Sequence, residues 1–154
     1  DSCPFAQYDY VVDAVDTVTA KIELVMRAGK EGIPVISSMG AGNKLDATAF
    51  RVADIYDTKV CPLARVMRRE LKKRHVEHLK VVYSEEEPGA LASSRETDMS
   101  GCFLDESRAG EDSVEAGGGV SRRRTPGSVA FVPSVAGLII AGEVVKDLAR
   151  GAGG

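Results

Sequence analysis

The chain has 154 residues, of which 44% are hydrophobic and 28% charged, the proportions of an ordinary globular protein with one domain. This composition excludes a collagen-like chain, a wholly disordered chain and a small disulfide scaffold. A net charge of −3 argues against a nucleic-acid binder that is basic over its whole surface. No apolar run approaches the ~18 residues of a transmembrane helix and no signal-peptide pattern is present, so we expect a cytoplasmic protein.

The cysteines do not have the spacing of a disulfide framework or of a metal site. Cys3, Cys61 and Cys102 are odd in number and irregularly spaced, and the two histidines lack a third ligand nearby. The chain begins with Asp1 rather than Met, which predicts a fragment of a longer protein.

Residues 9–38 have the pattern of one βαβ unit. An apolar run within 9–16 predicts a buried parallel strand, and residues 33–38 predict a second one. Between them, apolar residues recur at helical spacing over 17–28. We therefore expect two parallel strands joined by a right-handed crossover.

The alternation of helices and strands continues and predicts the α/β class. A glycine-rich loop at 39–46 precedes an alternating segment at 50–56 that predicts an exposed strand. Residues 62–74 predict a helix, with Pro62 at its first position, and residues 79–84 predict a third parallel strand.

The last third of the sequence interrupts this pattern. Residues 89–126 are rich in glycine, serine and acidic side chains and predict a disordered polar insert. Residues 127–132 predict a short strand, and 135–148 predict a final helix of the core, with a membrane contact disfavoured by its charged residues. We expect one α/β domain in two parts, 1–88 and 127–150.

Four sequence blocks together are typical of one protein family. They lie, in this order, at residues 13–17, 37–46, 60–71 and 127–138. These blocks resemble the tRNA threonylcarbamoyladenosine dehydratases of the ThiF/MoeB/HesA superfamily, which is related to ubiquitin-activating enzymes. The resemblance covers 9–88 and 126–150 and implies a Rossmann-like, ThiF-type adenylating fold.

The resemblance implies an ATP-dependent, ligase-type adenylating enzyme. Members of the family activate the carboxylate of N6-threonylcarbamoyladenosine at tRNA position 37 as an adenylate and then close a ring, a net dehydration. ATP and Mg²⁺ are the implied cofactors. The implied partners are tRNA, a second copy of the chain in a homodimer, and a sulfur-relay protein.

The sequence departs from the family in one respect. The superfamily carries a G-x-G-G-x-G-type nucleotide loop after its first strand, followed by an acidic residue and an Arg/Lys pair, and the chain contains none of these. Gly40 and Gly42 do not replace the loop, because no helix pattern follows them. The chain therefore resembles the carboxyl-terminal half of the enzyme, without about 100 residues of three strand–helix units. We expect it neither to bind ATP tightly nor to turn over by itself.

Two aspartates and the glycine-rich loop are the candidate ligands of Mg-ATP. By the resemblance, Asp16 meets the magnesium ion, and Asp13 is its weaker partner. The alternatives are that Asp16 caps the following helix and that Asp13 binds nearby backbone. Asn43 and Lys44 are candidates for contact with substrate or phosphate, and the alternative is a plain turn into the next strand.

Cys61 is a weaker catalytic candidate. It precedes a helix start, where a thiolate is stabilised, and ubiquitin-activating relatives place a catalytic cysteine in this region. The alternative is a small buried thiol without a catalytic role. Cys3 and Cys102 have no assigned function.

The segment from Arg65 to Lys80 is a candidate tRNA-binding surface. It contains seven basic and two acidic side chains, although such runs are usually solvated helix faces. The arginines at 122–124 could add a basic arm. The candidate phosphate contacts within the helix are Arg65, Arg68, Arg69, Lys72 and Lys73.

Two other functions stay open. One is adenylation of the C-terminal glycine of a sulfur-carrier protein, although the zinc-binding C-x-x-C pair common in that branch is absent. The other is a non-catalytic α/β module that docks RNA or a protein partner through the basic helix.

Overall fold

The computed structural model describes residues 4–87 and 127–151. The predicted insert at 89–126 lies outside the described residues. So do Cys3, Cys102 and the arginines at 122–124.

Four strands form one mixed sheet, which confirms the α/β class. The spatial order is β1-β2-β4-β3, with β1, β2 and β4 mutually parallel and β3 antiparallel to β4. All strands predicted before the insert are present. The first strand, predicted within residues 9–16, is only three residues long. The strands are β1 (Val11–Asp13), β2 (Val35–Ser38), β3 (Phe50–Asp54) and β4 (Lys80–Ser84).

Two helices cover one face of the sheet. Helix α1 (Val18–Lys30) connects β1 to β2, and α2 (Pro62–Lys73) connects β3 to β4. Pro62 occupies the first turn of α2, where its missing N–H costs nothing. The apolar stripes of both helices are buried against Val81 of β4, so these two βα units share a single core.

Helix α3 (Phe131–Ala149) covers the opposite face and packs on Ile36 and Val82. Because Val81 and Val82 are adjacent in β4, their side chains point to opposite faces and serve the two cores separately. The sheet is therefore the middle layer of a three-layer α/β/α arrangement.

The predicted strand at 127–132 is wrong. Residues 127–130 are irregular, and α3 begins at Phe131, four residues before the predicted start of the final helix. Pro133 falls in the first helical turn, where backbone N–H groups have no partner within the helix. The apolar residues follow helical spacing, and those of the buried stripe are Val132, Ala136 and Ile140.

A charged cluster attaches α3 to the edge of the sheet where the parallel strands begin. Lys80 Nζ lies 2.7 and 2.6 Å from the two carboxylate oxygens of Asp147, and the Tyr10 hydroxyl donates to Asp147 at 2.8 Å. Burial and the neighbouring Asp147 raise the pKa of Tyr10, so its hydroxyl stays a donor. Among residues 4–87 and 127–151, every helix is too short or too polar to cross a bilayer.

Candidate functional site

The carboxyl ends of the three parallel strands meet at one edge of the sheet. β1 ends at Asp13, β2 at Ser38 and β4 at Ser84. Open α/β sheets bind ligands at this edge, because the loops that leave the strands diverge there. Asp13, Ser37 and Ser84 are fully buried at this edge, so the polar groups at its base belong to the protein interior.

Lys21 is the centre of this polar base. It lies one turn into α1 and is only 1% exposed. Its Nζ lies 3.1 Å from Asp13 Oδ2, 3.4 Å from Ser37 Oγ and 2.7 Å from the carbonyl oxygen of Ser38. One ammonium group therefore connects the ends of β1 and β2 with the helix between them.

Asp13 has both carboxylate oxygens occupied. Oδ2 accepts from Lys21 and from the Ser37 hydroxyl, and Oδ1 accepts from the backbone N–H of Val15 at 3.1 Å. Burial lowers the pKa of Lys21, while Asp13 opposes that shift by its charge and its hydrogen bond. The alternative that Asp13 binds nearby backbone accounts for its hydrogen bond with Val15. It does not account for the buried ion pair with Lys21.

Asp16 is exposed, three residues beyond the end of β1. The N-cap of α1 is Thr17, whose side chain makes no capping hydrogen bond, so Asp16 does not hold the cap position. Its charge acts on the ammonium of Lys21 and raises the pKa of that group. Asp16 is thus next to the polar base while its carboxylate faces solvent.

Of the two aspartates predicted to meet Mg²⁺, Asp16 has the free carboxylate. Mg²⁺ usually takes one or two protein carboxylates and completes its shell with phosphate and water. The Asp13 carboxylate is engaged in hydrogen bonds within the protein, whereas the Asp16 carboxylate is exposed to solvent. Within the described part of the chain, no group of three or more histidine, cysteine or acidic side chains could hold a metal by itself.

The loop after β2 joins the two chain segments that border residues 88–126. Asn43, at a left-handed φ of 57°, donates its N–H to the Gly127 carbonyl at 2.8 Å and accepts from the Gly127 N–H at 2.9 Å. Lys44 Nζ donates to the Glu86 carbonyl at 2.6 Å. The Glu86 carboxylate accepts from the N–H groups of Leu45 and Asp46. The polar groups of Asn43 and Lys44 are therefore engaged with backbone in this structure.

Cys61 is a buried thiol at the N-cap of α2, only 3% exposed. Its thiol lies close to the Lys21 ammonium. Val60, directly before it, has φ of 60°, a left-handed conformation that costs a β-branched residue about 1–3 kcal/mol. Burial is typical of a structural cysteine, because reactive thiols are usually partly exposed.

The basic side chains of α2 have different roles. Arg68 donates to the carbonyl and hydroxyl of Thr58 and so fastens α2 to the turn before it. The Glu70 carboxylate forms ion pairs with three basic side chains: Arg69 at 3.5 Å, Lys73 at 2.8 Å and Arg74 at 2.9 Å. Of the five predicted phosphate contacts, Arg65 and Lys72 are exposed and form no side-chain hydrogen bond or ion pair with the described residues.

A groove of about 580 Å³ lies away from this site, between α1, α2 and the beginnings of β2 and β4. Val25, Ile33 and Leu79 give it mainly apolar walls. It is at the opposite edge of the sheet from Asp16, where the parallel strands start. The groove is therefore separate from the candidate site at Asp16 and the polar base.

Sequence reasoning missed three residues of the polar base and its loop: Lys21, Ser37 and Glu86. The sequence could have indicated that Lys21 is buried, because it lies within the apolar stripe of α1, three residues after Val18 and four before Val25. A lysine on the buried face of a helix requires a buried partner. Ser37 and Glu86 carried no comparable local signal.

We predict that K21M destabilises the chain by about 3–5 kcal/mol, because it leaves the Asp13 carboxylate buried without its cation. The measurement is the free energy of unfolding in urea at neutral pH. The matched control is K30M at the exposed end of the same helix, which we expect to change stability by less than ~0.5 kcal/mol. Equal effects of the two variants would contradict a structural role for the Lys21 ammonium.

We predict that E70Q lowers stability by about 1 kcal/mol at neutral pH and that this difference shrinks toward zero as the pH falls through 2. Hydrogen bonds from Lys73 and Arg74 lower the pKa of Glu70 from 4.5 to about 2. The ionised carboxylate therefore stabilises the folded chain above about pH 4.5, and this contribution disappears as the pH falls toward 2. Urea unfolding of the wild type and of E70Q across this pH range tests the prediction, and E77Q, at an exposed position, is the control. A difference in unfolding free energy that is independent of pH would refute the prediction.

Comparison with known proteins places these features in a family context. No protein-family model matches the chain. The chain is 40% identical to the tRNA threonylcarbamoyladenosine dehydratase of Bacillus subtilis over 143 residues, which are 92% of this chain and 51% of that protein. It is 47% identical to tRNA threonylcarbamoyladenosine dehydratase 2 of Saccharomyces cerevisiae over 81 residues, 52% of this chain and 18% of that protein.

A solved structure supports the fold. The E. coli tRNA N6-threonylcarbamoyladenosine dehydratase TcdA, crystallised in complex with AMP, matches 96% of this chain and 54% of its own with a TM-score of 0.65 and 23% identity. This likeness confirms the predicted ThiF-type α/β fold. In sequence, the chain is similar to tRNA threonylcarbamoyladenosine dehydratases, and it spans about half the length of the Bacillus subtilis relative.

Proposed function

We propose that the protein to which this chain belongs catalyses the ATP-dependent cyclising dehydration of N6-threonylcarbamoyladenosine in tRNA. The observation that carries the proposal is the 40% identity to a dehydratase over 92% of the chain. The chain supplies the carboxyl-terminal half of that enzyme, with Asp16 at its ligand-binding edge.

The chemistry requires activation of a carboxylate, which is a poor electrophile because its negative charge repels a nucleophile. ATP, when bound, supplies the group that makes a carboxylate oxygen a good leaving group. Asp16 is our candidate ligand for the Mg²⁺ that accompanies ATP, since its carboxylate is exposed and Asp13 is not free. Lys21 fixes Asp13 and so acts as a positioning residue for the start of the segment that carries Asp16.

The rest of the nucleotide site must come from sequence that this chain does not contain. Phosphates in such folds are held by a glycine-rich loop and the helix N-terminus that follows it. The loop at 39–46 is followed by a short turn and strand β3 rather than by such a helix. Asn43 and Lys44 contact Gly127 and Glu86 in this structure, and their contact with substrate or phosphate stays a prediction. We therefore infer that tight ATP binding requires the amino-terminal half.

The exposed cations of α2 support a tRNA-binding surface. Arg65 and Lys72 are exposed without partners among the described residues, and so they are open to phosphate. Arg69 and Lys73 share the Glu70 carboxylate, which reduces their contribution. Arg68 acts within the fold through Thr58, so we assign it no phosphate contact.

We predict that D16N in the full-length enzyme lowers Mg-ATP-dependent activity by at least about 100-fold, a loss typical of one electrostatic contact to the reacting groups. Its thermal stability should be unchanged, because Asp16 makes no capping bond. D9N, an exposed aspartate before β1, is the matched control and should retain activity. Full activity of D16N would contradict the proposal that Asp16 binds Mg²⁺.

We predict that R65E/K72E in the full-length enzyme weakens tRNA binding and lowers the slope of log affinity against log salt concentration by about 2, one for each phosphate contact. Filter binding over a series of salt concentrations measures both quantities. K30E, an exposed charge reversal on α1, serves as the control. Unchanged affinity and slope would show that the basic side chains of α2 form only a solvated helix face.

The direct test of the function uses the full-length protein with ATP, Mg²⁺ and tRNA that carries open-ring N6-threonylcarbamoyladenosine. Mass spectrometry of the nucleoside should show the loss of one water, which would establish the dehydratase. Transfer of AMP to a small carrier protein, with no change in the nucleoside, would assign the sulfur-carrier function instead. RNA binding without any ATP-dependent AMP release would favour a non-catalytic module.

A further inference from the structure

The groove between α1, α2 and the beginnings of β2 and β4 has the size of a small-molecule site. Its volume of about 580 Å³ is within the roughly 300–1,000 Å³ of typical ligand pockets. Val25, Ile33 and Leu79 belong to its apolar walls, and Val25 and Leu79 are only 5% and 4% exposed. Apolar ligand surface that enters the groove therefore leaves water, which favours binding.

The rim of the groove carries a cation without an internal partner. Lys30, the last residue of α1, is exposed and forms no side-chain hydrogen bond or ion pair with the described residues. The other lysine and arginine side chains of the groove are engaged, Arg74 with the Glu70 carboxylate at 2.9 Å and Lys80 with Asp147 at 2.6 Å. The Lys80 pair also neutralises Asp147, the acidic side chain of the groove. One positive charge at the rim is therefore available to a ligand.

His75 lines the α2 side of the groove with an imidazole that the turn does not require. Its φ of 58° is the left-handed conformation that usually belongs to glycine just after a helix. Its N–H donates to the Lys72 carbonyl and the Val76 N–H donates to the Leu71 carbonyl, and these backbone bonds end α2. A glycine would form the same bonds with less strain. The His75 ring forms no side-chain hydrogen bond within the described chain and is open to a ligand.

The carbonyl groups at the two helix ends are already bonded. In α1, the carbonyls of Arg27, Ala28 and Gly29 accept from N–H groups of the following turn at 2.9–3.2 Å. In α2, the carbonyls of Leu71 and Lys72 accept in the same way at 3.0–3.2 Å. A cationic ligand would be attracted by the two helix dipoles but would find few free carbonyl oxygens. The free cation at the rim fits an anion instead.

We propose that this groove binds a small amphipathic carboxylate. Its apolar body packs against Val25, Ile33 and Leu79, and its carboxylate contacts Lys30 and His75. A single free cation matches a single negative charge, and the apolar walls match a hydrocarbon body. The groove lies at the opposite edge of the sheet from Asp16, so the proposal is independent of the proposed enzymatic activity.

The test titrates the 154-residue chain with three probes that share one eight-carbon chain: octanoate, 1-octanol and octylammonium. Amide chemical shifts of the isotope-labelled protein locate and measure each binding event. Octanoate should bind with a dissociation constant of roughly 0.1–1 mM, as expected for so small a ligand, and shift the amides of Gly29, Ile33 and Leu79. The alcohol and the ammonium should bind at least ~10-fold more weakly, because they lack the charged contact.

Two variants at Gly29 test the location of the ligand. Gly29 lines the groove, and a side-chain carbon added there would meet nothing within 4 Å, so larger residues fit the end of α1. G29F should fill the groove and raise the dissociation constant of octanoate by more than ~10-fold. G29A, which leaves the groove open, is the matched control and should bind like the wild type. Circular dichroism verifies that both variants are folded.

A third variant tests the charged contact. K30M should weaken octanoate by about 5–10-fold and leave 1-octanol unchanged, because only the carboxylate uses the ammonium. K59M, an exposed lysine outside the groove, is the control and should bind like the wild type. Equal affinity for octanoate and octylammonium, shifts confined to another surface, or full octanoate affinity in G29F or K30M would overturn the proposal.

Discussion

The buried ammonium of Lys21 is the constraint on which the rest of the site depends. A charge that is 1% exposed needs compensation from the protein itself, and Asp13, Ser37 and the Ser38 carbonyl provide it. These partners belong to the ends of β1 and β2, while the lysine belongs to the helix between them. The register of the βαβ unit is therefore fixed by polar contacts at one end and by apolar packing along its length.

This constraint gives the two aspartates of the first sequence block different roles. Asp13 has no free oxygen, because Lys21, Ser37 and Val15 use both. Asp16 is exposed three residues later and is available to a ligand. The loop after β2 is held in turn by Glu86 and Gly127, so the segments around this edge are fastened to one another.

Much of this fold could be predicted from the sequence, because strands and helices before the insert follow clear periodicities. Lys21 was missed because its partner lies on another strand, and local spacing does not identify such a contact. The strand predicted at 127–132 was wrong because short apolar runs fit either structure, and Pro133 is tolerated in a first helical turn. The internal use of Arg68 also depends on a distant residue, Thr58. The roles in binding of Asp16, Asn43 and Lys44, and the homodimer that the resemblance implies, stay predictions.

The most direct measurement is a crystal structure of the full-length protein with Mg²⁺ and a non-hydrolysable ATP analogue. We expect the metal within ~2.1 Å of an Asp16 carboxylate oxygen, the usual Mg²⁺–oxygen distance, while Asp13 stays bonded to Lys21. A metal bound to Asp13, with Lys21 displaced, would contradict the division of roles between the two aspartates. So would a nucleotide site in which Asp16 contacts neither metal nor phosphate-bound water.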